Sequence, residues 1–407
     1  MHLYYKRSAL TIAVDSARGD QEGFLHLERR SDPPVAVFPS TSYDNYVQLT
    51  PIRPSALSLT QNAANSRVDD ILIRRPRERD KDVLSERGWT LQENILSPRT
   101  IHYSATELKW ECQKEIHSER NLVCDNTFKS TKQGFTSLSN RVSDYGLKHL
   151  AVFEQWYRIL NDYSKRFLSV PSDKLPAISG LVSDVHSHMP ATYKAGIWLE
   201  DACCGLAWSY CERGIKPDFY RAPSWSWAAM DYSGFHKSSL SDELFDELYD
   251  YSVASVLPYE VTSKADVLGC EVLLKDNDPY GGVLGGELTL RTFWITWPQK
   301  ELRSSGDMWS MPATLVSTYD ATTRTDAPIC SFDELPKEKY TYHNPDFYID
   351  VSLVQILRTK CYHVALLLKP AEGEGNKGKF VKIGIASFLP ELDVKEGGWV
   401  KRDVSII

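Results

Sequence analysis

The segment from Arg87 to Cys112 constrains the fold more than any other part of the chain. Up to Leu96 the apolar residues Leu84, Trp89, Leu91, Ile95 and Leu96 fit one face of a helix, imperfectly, with Gly88 near its start. Pro98 stops that helix, because proline disfavours helical geometry at the residue before it. Ile101 and Tyr103, then Leu108 and Trp110, alternate with polar residues on either side of Ser104-Ala-Thr106, which is a hairpin pattern. Trp89 and Trp110 read as core anchors that join the helix to the hairpin, each able to bury a large apolar area. Gln92 and Glu93 admit two readings. In one, Glu93 pairs with Arg87 or Arg99, or caps backbone groups, and holds the helix on the strands. In the other it belongs to a polar cleft.

The ordered residues Arg87, Gly88, Trp89, Gln92, Glu93, Ser97, Arg99, Trp110 and Cys112, in the phrases Arg87-Gly-Trp-Thr-Leu-Gln-Glu93, Leu96-Ser-Pro-Arg99, Ile101-His-Tyr103 and Leu108-Lys-Trp-Glu-Cys112, resemble the closing block of the fungal heterokaryon incompatibility (HET) domain. Upstream, Tyr5-Lys-Arg-Ser-Ala-Leu-Thr-Ile-Ala-Val14 and Gly23-Phe-Leu25 are similar to the family's middle segment, where a helix ends and a core strand begins. Two earlier blocks of the family have no counterpart before Met1-His-Leu-Tyr4. On this resemblance either the front half of the domain was lost or the start codon is placed too far downstream.

The resemblance implies a role in non-self recognition and programmed cell death. It also implies a distant relation to TIR domains, an α/β fold with a central parallel sheet, some of which cleave NAD. In such a sheet the first strands usually supply the nucleotide pocket, and these are the strands without a counterpart here. Two functions follow as expectations. One is an incompatibility regulator acting through protein contacts, with other HET or incompatibility proteins or with itself. The other is an NAD-cleaving effector, a NAD glycohydrolase, active only when the full domain is present. The chain as written is expected to be inactive in that chemistry and to need no cofactor.

Composition narrows the rest. With 407 residues, 42% hydrophobic and 25% charged, the chain has the make-up of a globular protein with two or three cores. A net charge of −7 argues against a nucleic-acid partner, which calls for a basic face. No run approaches the ~18 apolar residues of a bilayer span. The N-terminus shows no signal segment, and the eight cysteines follow no disulfide framework. The reading is a soluble cytoplasmic protein with reduced thiols and no membrane partner.

The expected fold is therefore mixed α+β: a truncated TIR-like α/β HET portion over 1–115, a helical scaffold over 116–250, and an antiparallel β-rich module over 251–407. A short strand is expected at Leu10–Val14, followed by irregular structure to about residue 45. The charge run Arg74–Asp82 reads as a solvated loop. In the scaffold Phe153, Trp156, Tyr157, Leu160 and Tyr163 recur at helical spacing. Ser172 can cap a second helix whose stripe is Ile178, Leu181, Val182 and Val185, and a third helix spans about Trp198 to Tyr210. Arg221-Ala-Pro-Ser-Trp-Ser-Trp227, a second family-like phrase, reads as a strand that projects Trp225 and Trp227 from one face into a core. Strands follow at 252–257, 270–274, 287–295, 362–368 and 380–388, with Gly281-Gly282 and Gly285-Gly286 as turns.

Three chemical motifs fail on context. Gly373-Glu-Gly-Asn-Lys-Gly-Lys379 has the spacing of a phosphate loop, but Phe380 follows where that loop needs Ser or Thr and a strand follows where it needs a helix, so a hairpin turn is the reading. Cys203, Cys204 and Cys211 with His186 and His188 match no zinc spacing and read as small hydrophobes. No Gly-x-Ser-x-Gly nucleophile motif is present.

Overall fold

The computed structural model describes residues 2–21, 23–24, 37–39, 46–48, 82–104, 107–119, 131–139, 145–189, 191–209, 214–232, 261–297, 303–304, 329–333, 351–358, 363–388 and 398–407. They fall into two units, Met1–Thr136 and Ser137–Ile407.

The first unit opens with helix α1 (His2–Lys6) and strand β1 (Thr11–Ala13), followed by a two-stranded antiparallel ladder of β2 (Val37–Pro39) and β3 (Tyr46–Gln48). That ladder lies partly where irregular structure is expected. A 3-10 turn, Val83–Glu86, leads into α2 (Gly88–Leu96). Ser97 is already extended, so the helix ends beside Pro98 as its sequence requires. The hairpin follows as β4 (Arg99–Tyr103) and β5 (Leu108–Cys112), then β6 (Ile116–Ser118) and α3 (Thr131–Ser139), whose first six residues belong to this unit. The sheet has the order β1-β4-β5-β6, with β1 parallel to β4 and the other pairs antiparallel. The charge run lies outside the described residues apart from Asp82.

Burial in this hairpin departs from the sequence reading. In a ladder, directly opposed residues share a face, so Thr100, His102, Lys109 and Glu111 lie on one side and Ile101, Tyr103, Leu108 and Trp110 on the other. The most buried positions are polar: Thr100 is 1% exposed and Glu111 7%. Trp110 and Trp89 are only half-buried, so neither is the deep anchor that apolar alternation suggests. The buried apolar residues of α2 are Leu91, Ile95 and Leu96.

The second unit begins with α4 (Tyr145–Ser164), whose stripe of Phe153, Trp156, Tyr157, Leu160 and Tyr163 is buried as its spacing predicts. Two 3-10 turns, Pro171–Lys174 and Pro176–Ile178, precede α5 (Ser179–His188). Ser172 is no cap; it lies inside the first turn, which Pro171 starts. Ile178, Leu181, Val182 and Val185 are buried together. A tight hairpin of β7 (Tyr193–Lys194) and β8 (Ile197–Trp198) follows. The third helix is shorter than its pattern suggests: a 3-10 turn, Leu199–Asp201, and α6 (Ala202–Leu206).

Strands β9 (Gly214–Ile215) and β10 (Asp231–Tyr232) pair antiparallel around the family-like phrase. That phrase is not a strand. Its tryptophans ride on a turn and a 3-10 helix, Trp227–Ala229, capped by the Ser226 hydroxyl. Both rings are nonetheless fully buried. Side chains and backbone fasten the loop: Trp208 donates to the Trp225 carbonyl (2.9 Å), Trp227 to the Gly196 carbonyl (2.8 Å), and the Arg221 guanidinium to the Ala228 carbonyl (2.7 Å) and Asp231 (2.9 Å). These bonds satisfy a buried backbone that no ladder partners.

The remaining strands are β11 (Thr262–Ser263), β12 (Asp266–Leu274), β13 (Val283–Trp297), β14 (Arg303–Ser304), β15 (Ile329–Phe332), β16 (Val351–Arg358), β17 (His363–Pro370), β18 (Lys379–Phe388) and β19 (Val400–Ile406). All nine belong to one mostly antiparallel sheet. Four of the five expected runs are strands; 252–257 lies outside the described residues. The ladder also closes on itself, because β13 pairs β16, β16 pairs β17, β17 pairs β18, β18 pairs β19 and β19 returns to β13. Leu353, Ala365, Leu367 and Ala386 form a core there, with Ile295, Ile383 and Trp399 against it. Val354, Ile356, Leu366 and Leu368, on the opposite strand faces, are equally buried, so β16 and β17 are covered on both sides.

The glycines divide. Gly281 and Gly282 make the β12–β13 turn, whereas Gly285 and Gly286 are strand residues paired with Leu273 and Val272. Gly286 is required by packing: a Cβ there would lie 2.5 Å from Pro223 and 3.3 Å from the Trp225 ring. Gly373–Lys379 links β17 to β18 as a hairpin connection, with Gly373 and Gly378 at positive φ.

Candidate functional site

The polar face of the first unit's hairpin gathers a charged cluster that no residue-by-residue reading singles out. His102, central in β4, places Nδ1 2.8 Å from an Asp15 carboxylate oxygen and Nε2 3.2 Å from a Glu111 carboxylate oxygen. Glu111 also accepts from the Asn94 amide on α2 (2.9 Å) and lies 3.5 Å from the Lys132 ammonium on α3. Lys132 in turn donates to the Thr100 hydroxyl (2.8 Å), and Thr100 donates to the side-chain amide oxygen of Asn94 (3.2 Å). Four elements therefore converge on two carboxylates and two cations whose charges balance.

Burial alone disfavours a charged imidazole, but hydrogen bonds and the negative charges of Asp15 and Glu111 outweigh it and raise His102 to about 9. At neutral pH the ring is an imidazolium donating from both nitrogens. Lys132 is pushed the other way, down from the ordinary lysine value, chiefly by its burial and in part restored by Glu111. A histidine held protonated cannot accept a proton, so the cluster functions as an ionic clasp between sheet and helices and is not arranged as a general base.

The motif residues take the following places. Arg87 is the extended residue before α2, its carbonyl accepting from Thr90 (2.7 Å), and Gly88 is buried at the first helical position. Gln92 is buried and Trp89 half-buried on α2. The Glu93 side chain meets Tyr5, whose hydroxyl is raised first by burial and then by the Glu93 charge and hydrogen bond. Ser97, fully buried, donates to the Glu93 carbonyl (2.7 Å) and lies 2.8 Å from the Thr11 hydroxyl, which ties the end of α2 to β1. Arg99 is exposed and reaches the Ala9 carbonyl (3.3 Å). Trp110 sits between Ile101 and His117 in the ladder, and Cys112 is a half-buried free thiol. The structure thus brings Ser97 and Glu93 together with β1 and α1, while the ionic cluster lies on the residues between the motif positions. Its signal was present as Thr100/His102 and Lys109/Glu111, the polar halves of two alternating strands.

The apolar face is the other feature of this unit. Ile12, Ile101 and Trp110 are successive ladder partners across β1, β4 and β5 and so form one row. Ile12 is 57% exposed, and Ile101 and Trp110 are half-buried. Phe24 covers Tyr103 edge-on at 4.8 Å. Leu3, Tyr4 and Leu10 nearby in sequence are exposed as well. No helix among the described residues is long and apolar enough to cross a membrane. Compared with known proteins, the chain matches no family model, no curated protein and no solved structure.

Proposed function

We propose that the protein is a heterokaryon-incompatibility regulator, of the kind that governs non-self recognition and programmed cell death, and that it acts through protein contacts of its first unit. The reading rests on the HET-like motif and on one observation, the partly exposed apolar row Ile12, Ile101 and Trp110. Contiguous exposed apolar surface marks interaction sites more often than chance. The opposite face of the same sheet supports contact over chemistry, because its titratable groups neutralise one another and His102 holds its proton. The partner suited to that row is the sheet of another HET-type domain, apolar and able to pair along an edge.

The test is induced expression of the full chain in a filamentous fungus carrying a complete HET-type protein, scored for viability and for co-purification of the two proteins. Loss of viability and a stable complex are expected, both abolished by the Ile12→Asp, Trp110→Ser double variant. Unchanged viability with no complex would sink the proposal. So would NAD consumption by the purified chain, which would move the function to the NAD-cleaving class.

A further inference from the structure

In the second unit, Asp201 closes the 3-10 turn before α6, and Cys203 and Cys204 are the second and third residues of α6. Their two sulfurs lie 3.9 Å apart, and one carboxylate oxygen of Asp201 is within 4.8 Å of both. Two thiolates on one tetrahedral zinc, each at about 2.3 Å, stand about 3.8 Å apart. The observed separation, which a thiol–thiol hydrogen bond now spans, is also the one that a shared ion would need, and it is far beyond the ~2.05 Å of a disulfide.

Neighbouring side chains hold the Asp201 carboxylate in place. Tyr157 of α4 donates its hydroxyl to Asp201, and Cys204 hydrogen-bonds the same carboxylate. Asp201 and Cys204 are buried, whereas Cys203 is only half-buried, which leaves a path for an ion and an exchangeable ligand. His186 and His188 are engaged elsewhere, with the Ala191 carbonyl and with the Asp184 carbonyl. The aspartate, which has no place in any cysteine–histidine spacing, completes the set instead.

We propose that Asp201, Cys203 and Cys204 bind one zinc ion through two sulfurs and one carboxylate oxygen, with the fourth position left to solvent or a small ligand. Tyr157 then orients the carboxylate from behind, as hydrogen bonds to metal ligands commonly do. Zinc binding deprotonates both thiols and releases their protons to solvent, so affinity rises with pH.

The experiment uses the full chain, reduced and stripped with chelator, titrated with cobalt(II) as a spectroscopic substitute for zinc. Expected is a sulfur-to-cobalt charge-transfer band saturating at one equivalent and displaced by zinc. Cys203→Ser should cut its intensity about in half, Asp201→Asn should weaken affinity at least about tenfold, and a Cys112→Ser, Cys270→Ser double variant should leave both unchanged. A missing band, or one that survives Cys203→Ser with Cys204→Ser, would overturn the proposal. A second measurement needs no variant: zinc should protect Cys203 of the native chain from iodoacetamide, read by peptide mass spectrometry, and equal alkylation with and without zinc would also overturn it.

Discussion

His102 keeps its proton at neutral pH because a carboxylate faces each of its ring nitrogens. Its folded value, about 9, lies above its ordinary 6.5. Its contribution to stability is therefore complete below pH 6.5 and is lost as pH rises through 9. A shift of that size corresponds to about 3 kcal/mol. Denaturant unfolding followed between pH 6 and 10 should show stability declining across this window, and His102→Gln should flatten the decline. An unchanged slope in the variant would show that another group carries it. Lys132 tempers the clasp, since its own burial disfavours its charge. At this scale the sequence was half legible. Alternation in β4 and β5 reveals two faces, but it cannot say which one is covered, and the ordinary rule that apolar residues go inside picks the wrong face. The polar face is buried because Asn94 and Lys132, from two different helices, satisfy it.

Among elements, the loop carrying Trp225 and Trp227 shows how a close approach can dictate a residue in another strand. Gly286 sits in β13, opposite Val272 of β12, because Pro223 and Trp225 press on it. Gly286→Ala is expected to destabilise the second unit by about 2 kcal/mol through overpacking. Gly269→Ala, with no atom within 4 Å of the new Cβ, should shift the melting temperature little. Equal melting temperatures for the two variants would refute this account of the loop. The C-terminal strands were legible because each is a continuous or alternating apolar run bounded by turn residues. The tryptophan loop was not, since a spacing of two suits a strand and a 3-10 turn alike; what distinguishes them is the Ser226 cap and the hydrogen bonds from Trp208, Trp227 and Arg221 to backbone carbonyls. Likewise Pro171 and Pro176 divide one expected helix into two short turns and α5.

At the scale of the whole second unit, a buried lysine paired within the sheet also reaches the helical part. Lys382, from β18, meets both carboxylate oxygens of Asp333 (2.9 and 2.7 Å), donates to the Trp208 carbonyl (3.3 Å), and stands 3.3 Å from the centre of the Trp208 ring. Burial lowers the lysine and raises the aspartate, and each is partly restored by the other. Removing one partner strands a buried charge, so Lys382→Met should cost about 3–5 kcal/mol. Adding Asp333→Leu should return most of that loss. A double variant as unstable as the single one would mean that Lys382 matters chiefly for its stacking on Trp208.

The residue pattern alone determined that the chain folds as mixed helix and sheet, that Pro98 ends a helix before a hairpin, and that the last third is strand-rich. Those features depend on local geometry and periodicity, which a linear sequence carries. Only the tertiary structure decided which face of the first sheet is covered, that β13 and β16–β19 close on themselves, and that Asp201 joins Cys203 and Cys204. Each of these depends on residues distant in sequence, or on the backbone path between near neighbours, and partners of that kind leave no period in the chain.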